Sequence, residues 1–237
     1  MFMFIPKLDF VLNREIMRKI GILICSVALI AVSPTFAGQG FQGLGFSVGL
    51  ENSKYRIPGS EVYNSGADTG YSTSDATLNK MGSVFGVSYG LGSTNFITTV
   101  GLDYVNTNAN MSTAVNTIND GPITQDLKNR YEAYIAPGYK IMRATLAYLK
   151  LGVLDIPNKA PLDANGYSSP TGGPGTVGAL YGVGIKQKFS TNSPFFLKLE
   201  YTGGQTKNAQ NIDSLSSNQY QSKVMFTSAS ASLGLSF

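Results

Sequence analysis

The chain has 237 residues, with 18 Lys+Arg against 14 Asp+Glu, no His, no Trp and one Cys. Without an imidazole it lacks the usual base of serine hydrolases and the commonest metal ligand, and its nearly balanced charge carries no nucleic-acid signature. Its 27 Gly and 13 Tyr, with mean hydropathy near zero, suit an all-β protein rich in turns.

Residues 1–16 fit no targeting pattern, and the physiological start is expected at Met17. From there the chain reads as a secretory signal peptide. Met17-Arg18-Lys19 is a positive n-region, Ile20–Val32 is a 13-residue apolar run, and small residues at Thr35 and Ala37 set cleavage after Ala37. The run is short for a bilayer span; the other readings are a buried helix or an anchor. Cys25 follows Leu23 and Ile24, which is not a lipoprotein signal. Residues 38–237, the expected mature domain, hold no cysteine and 14 basic against 12 acidic residues. Gly38-Gln39-Gly40-Phe41-Gln42-Gly43 matches G-x-G-x-x-G, but it opens a strand-like segment; a dinucleotide loop needs a strand before it and a helix after it.

Eight segments of period-2 alternation follow, at about 41–56, 82–92, 95–113, 126–141, 144–156, 176–189, 194–206 and 222–237. One face carries the apolar row, for instance Leu44, Phe46, Val48 and Leu50, or Phe195, Leu197, Leu199 and Tyr201. The opposite face carries small residues and nearly all strand charge: Glu51, Asp103, Arg130, Glu132, Lys150, Lys186, Lys198 and Glu200. Connections alternate without exception. They are short at 92–94, 142–143 and 190–193, and long and polar near 57–81, 114–125, 157–175 and 207–221.

That regularity predicts an eight-stranded antiparallel up-and-down barrel, closed between the last strand and the first. Mixed charges on the row with small residues, and aromatics near the ends of the apolar row (Tyr104, Tyr131, Tyr139, Phe195, Tyr201, Phe237), predict that the apolar face meets lipid.

The last ten residues, "SASASLGLSF", and the hairpin "LYGVGIKQKFSTNSPFFLKLEYT" over 180–202 carry a specific likeness. The chain resembles the small eight-stranded outer-membrane barrels of Gram-negative bacteria, the group of the opacity proteins and the outer membrane protein A transmembrane domain, over residues 38–237. The resemblance implies an outer-membrane location, lipid contact, and an assembly signal at Leu233, Leu235 and Phe237 read by the barrel-assembly machinery. Histidine-dependent enzymes of similar architecture are not matched, since no histidine exists here.

No catalytic, cofactor or metal site is expected. Asp68, Asp75, Asp155 and Asp163 offer carboxylates for calcium without a ligand-spacing motif. The inward charges read either as a paired network plugging the lumen or as a gated path, with the plug favoured because eight strands leave little room. The expected function is structural and surface-interacting, of the adhesion type, carried by four long extracellular loops that contact an outside ligand. Their Asn, Ser, Thr and Gly with isolated Tyr63, Tyr71, Tyr167 and Tyr220 suit adaptable binding. The alternative is a narrow channel or transporter for small solutes or apolar molecules.

Overall fold

The structure is a computed structural model that describes residues 40–57, 61–62, 71–72, 76–107, 109–113, 123–127, 129–156, 177–206, 209–212 and 219–237. Residues 1–37, expected to be a signal peptide and containing Cys25, and Tyr63, Tyr167, Asp68, Asp75 and Asp163, lie outside the described residues.

Eight strands form the barrel: β1 (Gly43–Ile57), β2 (Ala76–Gly92), β3 (Phe96–Asn106), β4 (Arg130–Met142), β5 (Thr145–Asp155), β6 (Val177–Lys188), β7 (Phe195–Thr206) and β8 (Met225–Ser236). Each pairs antiparallel with its sequence neighbours, and β1 pairs with β8 to close the sheet. The closing register runs from Gly45↔Ser236 to Arg56↔Met225. Closure satisfies the backbone groups of both edges, which no solvent within a hydrocarbon layer could do.

The alternation sorts side chains by face. Leu50 is 60% exposed while its neighbour Glu51 keeps 4%. Phe46, Val48, Phe85, Leu151, Val183, Leu199 and Leu233 also point outward and exposed, whereas Asp103, Arg130, Glu132, Lys150, Lys198 and Glu200 are buried. Charge inside and hydrocarbon outside is the surface of a transmembrane barrel of the outer-membrane type. Aromatic residues ring both ends of the outer face. Phe85, Tyr104 and Tyr131 stack in sequence at one end, with centroids 6.3 and 5.2 Å apart, and Phe96 meets Tyr139 edge-on at 6.5 Å at the other.

The short connections are tight. Ser93 N–H donates to the Phe96 carbonyl at 2.9 Å, and Ser193 Oγ accepts from Phe195 N–H at 3.1 Å. At the opposite end the barrel strands give way to small antiparallel ribbons, Glu61–Val62 with Tyr71–Ser72, Ala109–Thr113 with Ile123–Leu127, and Ala209–Ile212 with Gln219–Ser222. Tyr71 and Tyr220 belong to these ribbons.

Three strand boundaries differ from the sequence reading. The segment 95–113 is two elements, because β3 leaves the barrel at Asn106 and Ala109–Thr113 pairs with its own ribbon partner. The segment 126–141 enters the barrel only at Arg130, since Ile123–Leu127 belongs to that ribbon. β2 begins at Ala76 rather than near 82, because residues 76–81 pair with the projecting end of β1, Asn52–Ile57. Within β4 the ladder to β5 keeps its register but is interrupted between Ile135↔Leu151 and Gly138↔Tyr148, where Pro137 has no ring N–H to donate, and the register shifts between Lys140 and Met142.

This topology puts Phe237 and the short turns at one end, expected to be the periplasmic one, and the long connections at the other. An epitope tag inserted at Gly172, between β5 and β6, should bind antibody on intact cells, and one at Ser193 should bind only after permeabilisation. The reverse pattern would invert the orientation.

Candidate functional site: a filled, charge-paired lumen

Inward rows of all eight strands meet in a lumen that is filled rather than open. Nearest the long loops, Arg130 is fully buried at the start of β4. Its Nη2 contacts Glu51 Oε1 on β1 at 2.6 Å, and its Nε contacts Glu132 Oε1 at 2.6 Å. Nη1 donates to the Tyr55 hydroxyl at 3.0 Å, and that hydroxyl lies 3.2 Å from Thr107 Oγ1. The guanidinium stacks over the Phe226 ring, 3.9 Å from its centroid. Ser53 Oγ donates to Glu51 Oε1. Planar stacking with several directed N–H bonds is work that Lys could not replace. Leu154, Ile156, Leu180 and Val224 bury around this level.

Lys150, on β5, is the hub of the next level. Its ammonium lies 2.7 Å from Asp103 Oδ2, 2.8 Å from Glu132 Oε2 and 3.5 Å from Glu200 Oε2, and 4.3 Å from the Tyr134 ring centroid. Lys198 joins Glu200 Oε2 at 3.2 Å and Asp103 Oδ2 at 3.5 Å. Tyr148 donates its hydroxyl proton to Glu200 Oε1 at 2.8 Å. One continuous chain therefore links Glu51, Arg130, Glu132, Lys150, Asp103, Lys198 and Glu200 across five strands.

The structure brings those seven residues together, but it places Lys186 apart. Its ammonium sits 4.5 Å from the Phe196 ring centroid, and its cross-strand neighbour is Lys198 rather than an acid. No carboxylate lies within 4.0 Å of it among the described residues.

Sequence reasoning missed the aromatic component of the interior. Tyr55, Tyr134, Tyr148, Phe196 and Phe226 are all buried on inward rows. Two of them occupy space that glycines leave. A Cβ on Gly101 would sit 2.5 Å from the Tyr134 ring, and one on Gly184 would sit 2.4 Å from the Tyr148 ring. The signal lay in the rows themselves, where Tyr134 follows Glu132 and Tyr148 precedes Lys150 at inward parity. Toward the short turns Ile97, Ala136, Leu146 and Phe41 complete an apolar floor.

Two buried lumen oxygens lack a protein partner, Asp103 Oδ1 and Ser232 Oγ. Both border the wall of Gly and Ser on β8, β1 and β2: a Cβ on Gly86 would meet Asp103 Oδ1, and one on Gly49 would meet Ser232 Oγ. Elsewhere, Asp155 ends β5 on the outer row opposite Tyr131. No group of three or more His, Cys, Asp or Glu able to hold a metal ion occurs among the described residues. Leu233, Leu235 and Phe237 lie on the outward row of the closing strand, and Phe237 N–H donates to the Leu44 carbonyl at 2.8 Å.

In solved structures the chain is similar to Ail, the attachment invasion locus protein of Yersinia pestis, in complex with the heparin analogue sucrose octasulfate. That match has 15% identity over 83% of this chain and 99% of that one, at TM-score 0.44. It is similar to the outer membrane protein OprG from Pseudomonas aeruginosa at 16% identity, over 84% and 98%, with TM-score 0.45. Neisserial surface protein A matches at 9% identity, over 81% and 97%, with TM-score 0.40. No protein-family model and no curated protein matches the chain.

Replacing the hub leaves three carboxylates facing one another. Lys150→Met should cost about 3–5 kcal/mol of unfolding free energy, read by urea titration of protein folded in lipid vesicles. Adding Asp103→Asn should recover part of the loss. Leu199→Lys, on the outer row of β7, should cost about 2–4 kcal/mol with no recovery from Asp103→Asn. Equal recovery in both backgrounds would break the assignment of faces.

Proposed function

We propose that this outer-membrane barrel is a closed scaffold with a structural and surface-interaction role of the adhesion type, in which four long connections meet an extracellular ligand. The observation that carries the reading is the continuous network from Glu51 to Glu200, stacked between aromatic and aliphatic layers. A lumen filled in this way is a poor conduit, and the ribbons beyond the rim extend the loop-bearing end outward. Recognition then belongs to the loops, whose rigid base is the barrel. A catalytic role has no imidazole to draw on anywhere in the chain.

A narrow solute path is the second reading. It is favoured by the unpartnered Asp103 Oδ1 and Ser232 Oγ beside the Gly and Ser wall, which marks a polar seam where water would sit. Reconstitution in planar bilayers separates the two. The scaffold reading expects no resolved single-channel steps in the unmodified protein, and stable openings would promote the channel. Grafting the connections 58–75 and 157–176 onto an unrelated eight-stranded barrel should transfer binding to whole target cells or matrix; loss of binding with the loops transferred would defeat the display role.

In the same reading residues 1–37 are removed on export, and Leu233, Leu235 and Phe237 are the signal that the barrel-assembly machinery recognises. Deleting Phe237 should lower heat-modifiable barrel in outer-membrane fractions and leave precursor in the periplasm, while Phe237→Tyr should assemble close to normally. Normal yield from the deletion would remove the terminal ring from the signal.

A further inference from the structure

The lumen charges balance only if two lysines are left out. The network's four carboxylates, Glu51, Asp103, Glu132 and Glu200, face Arg130, Lys150 and Lys198. Lys186, one strand from Lys198, supplies the fourth cation at longer range. Lys140 and Lys188 remain, at the periplasmic end of β4 and β6, where the described residues include no acidic side chain. Lys188 is only 4% exposed. Among the described residues its ammonium makes no ion pair, and its close partner is the Phe41 ring, with a centroid 5.9 Å away. A buried ammonium without a counter-charge is costly.

Lys186, which makes no ion pair among the described residues, converges with these two. Lys140 and Lys186 both pair with Leu146, one from each side of β5, so their Cα atoms are about 10 Å apart at ordinary strand spacing. Lys188 follows Lys186 at the same inward parity, about 7 Å along the strand. Ammonium groups on long flexible stems at these separations can close on one small anion, and lysine serves oxyanions as a compact point charge.

The mouth is closed beneath them by residues 40–43. Gly40 and Gly43 both hold left-handed backbone, with φ of 95° and 93°, and between them Phe41 turns into the barrel and is buried. Gln42 Nε2 pins this strap by donating to the Gly92 carbonyl at 2.6 Å. A Cβ on Gly40 would lie 2.9 Å from Lys140 Nζ, so the strap rests against the ammonium. Two glycines of the G-x-G-x-x-G segment are thus the bends of a periplasmic strap.

We infer that the periplasmic mouth is a binding site for a free oxyanion of phosphate size, held by Lys140, Lys186 and Lys188 above the strap of residues 40–43. The site faces the opposite compartment from the loops.

The test uses the folded barrel in detergent with inorganic phosphate as the probe. The unfolding midpoint should rise saturably with phosphate and exceed the effect of chloride at matched ionic strength. Calorimetric titration of the same protein should show one phosphate per barrel. Lys188→Met and Lys140→Met should each weaken phosphate binding at least tenfold while leaving the phosphate-free midpoint unchanged or raised, because each removes an unpaired charge. Arg143→Gln, in the β4–β5 turn, should leave phosphate binding intact. No calorimetric binding to the unmodified barrel, equal effects of phosphate and chloride, or an undiminished phosphate shift in the Lys140→Met/Lys188→Met double variant would overturn the site.

Discussion

Hydrocarbon offers no hydrogen-bond partner to a peptide group, and the remainder of this structure follows from that constraint. A sheet that crosses a bilayer must have no edge, so β8 has to meet β1, and it does so over a long register from Gly45 to Arg56. Closure at eight strands fixes a narrow interior. Alternation then commits every second residue to lipid and every other to that interior. Polar residues on the inner row must find partners among themselves, since little water shares the space with them.

The pairing that results acts on register as much as on stability. A buried ion pair is weak evidence for net stabilisation, because desolvation offsets much of the attraction. Its effect on wrong alternatives is stronger. A one-residue slip of β7 would turn Lys198 and Glu200 into lipid, while a two-residue slip would keep them inside and separate them from Lys150 and Asp103. The same holds for β4, whose Arg130 reaches Glu51 across the lumen while Glu132 meets Lys150. Charges on five strands therefore favour one alignment of the cylinder. The tyrosines add a steric condition, since Tyr134 and Tyr148 fit only where Gly101 and Gly184 come opposite.

Faces, strand number and the alternation of connections could be read from the sequence because they depend on local periodicity. What could not be read depends on which residues meet across the barrel. The row Arg130, Glu132, Tyr134, Ala136 is plain in the sequence, but nothing local says that Tyr134 leans on Gly101 or that Arg130 stacks on Phe226. Strand ends are hidden from the sequence for a related reason. Period-2 alternation continues past the rim, from Asn106 into Ala109–Thr113, because the ribbon there is also a strand pair. A periodic pattern marks a strand without marking which sheet it joins. Lys186 shows the limit from the other side: its parity placed it inward, and only the register reveals that its neighbour is Lys198.

The two ends of the cylinder are built for different demands. At the loop end the rim is clasped from within: Thr206 N–H donates to the Val224 carbonyl at 2.9 Å and Thr206 Oγ1 accepts from Val224 N–H at 3.0 Å. That clasp fastens β7 to the start of β8 below the ribbon Ala209–Ile212 and Gln219–Ser222, so the ribbon is joined to the barrel through a fixed base. Tyr55, hydrogen-bonded to Thr107 and Arg130, fastens β1 to the exit of β3 in the same way. The ion pairs of the network are made wholly by barrel strands. Among the described residues, none beyond the rim supplies an ion pair to it. Among the described residues, the contacts that fill the lumen are thus separate from the ribbons that lie beyond the two clasps.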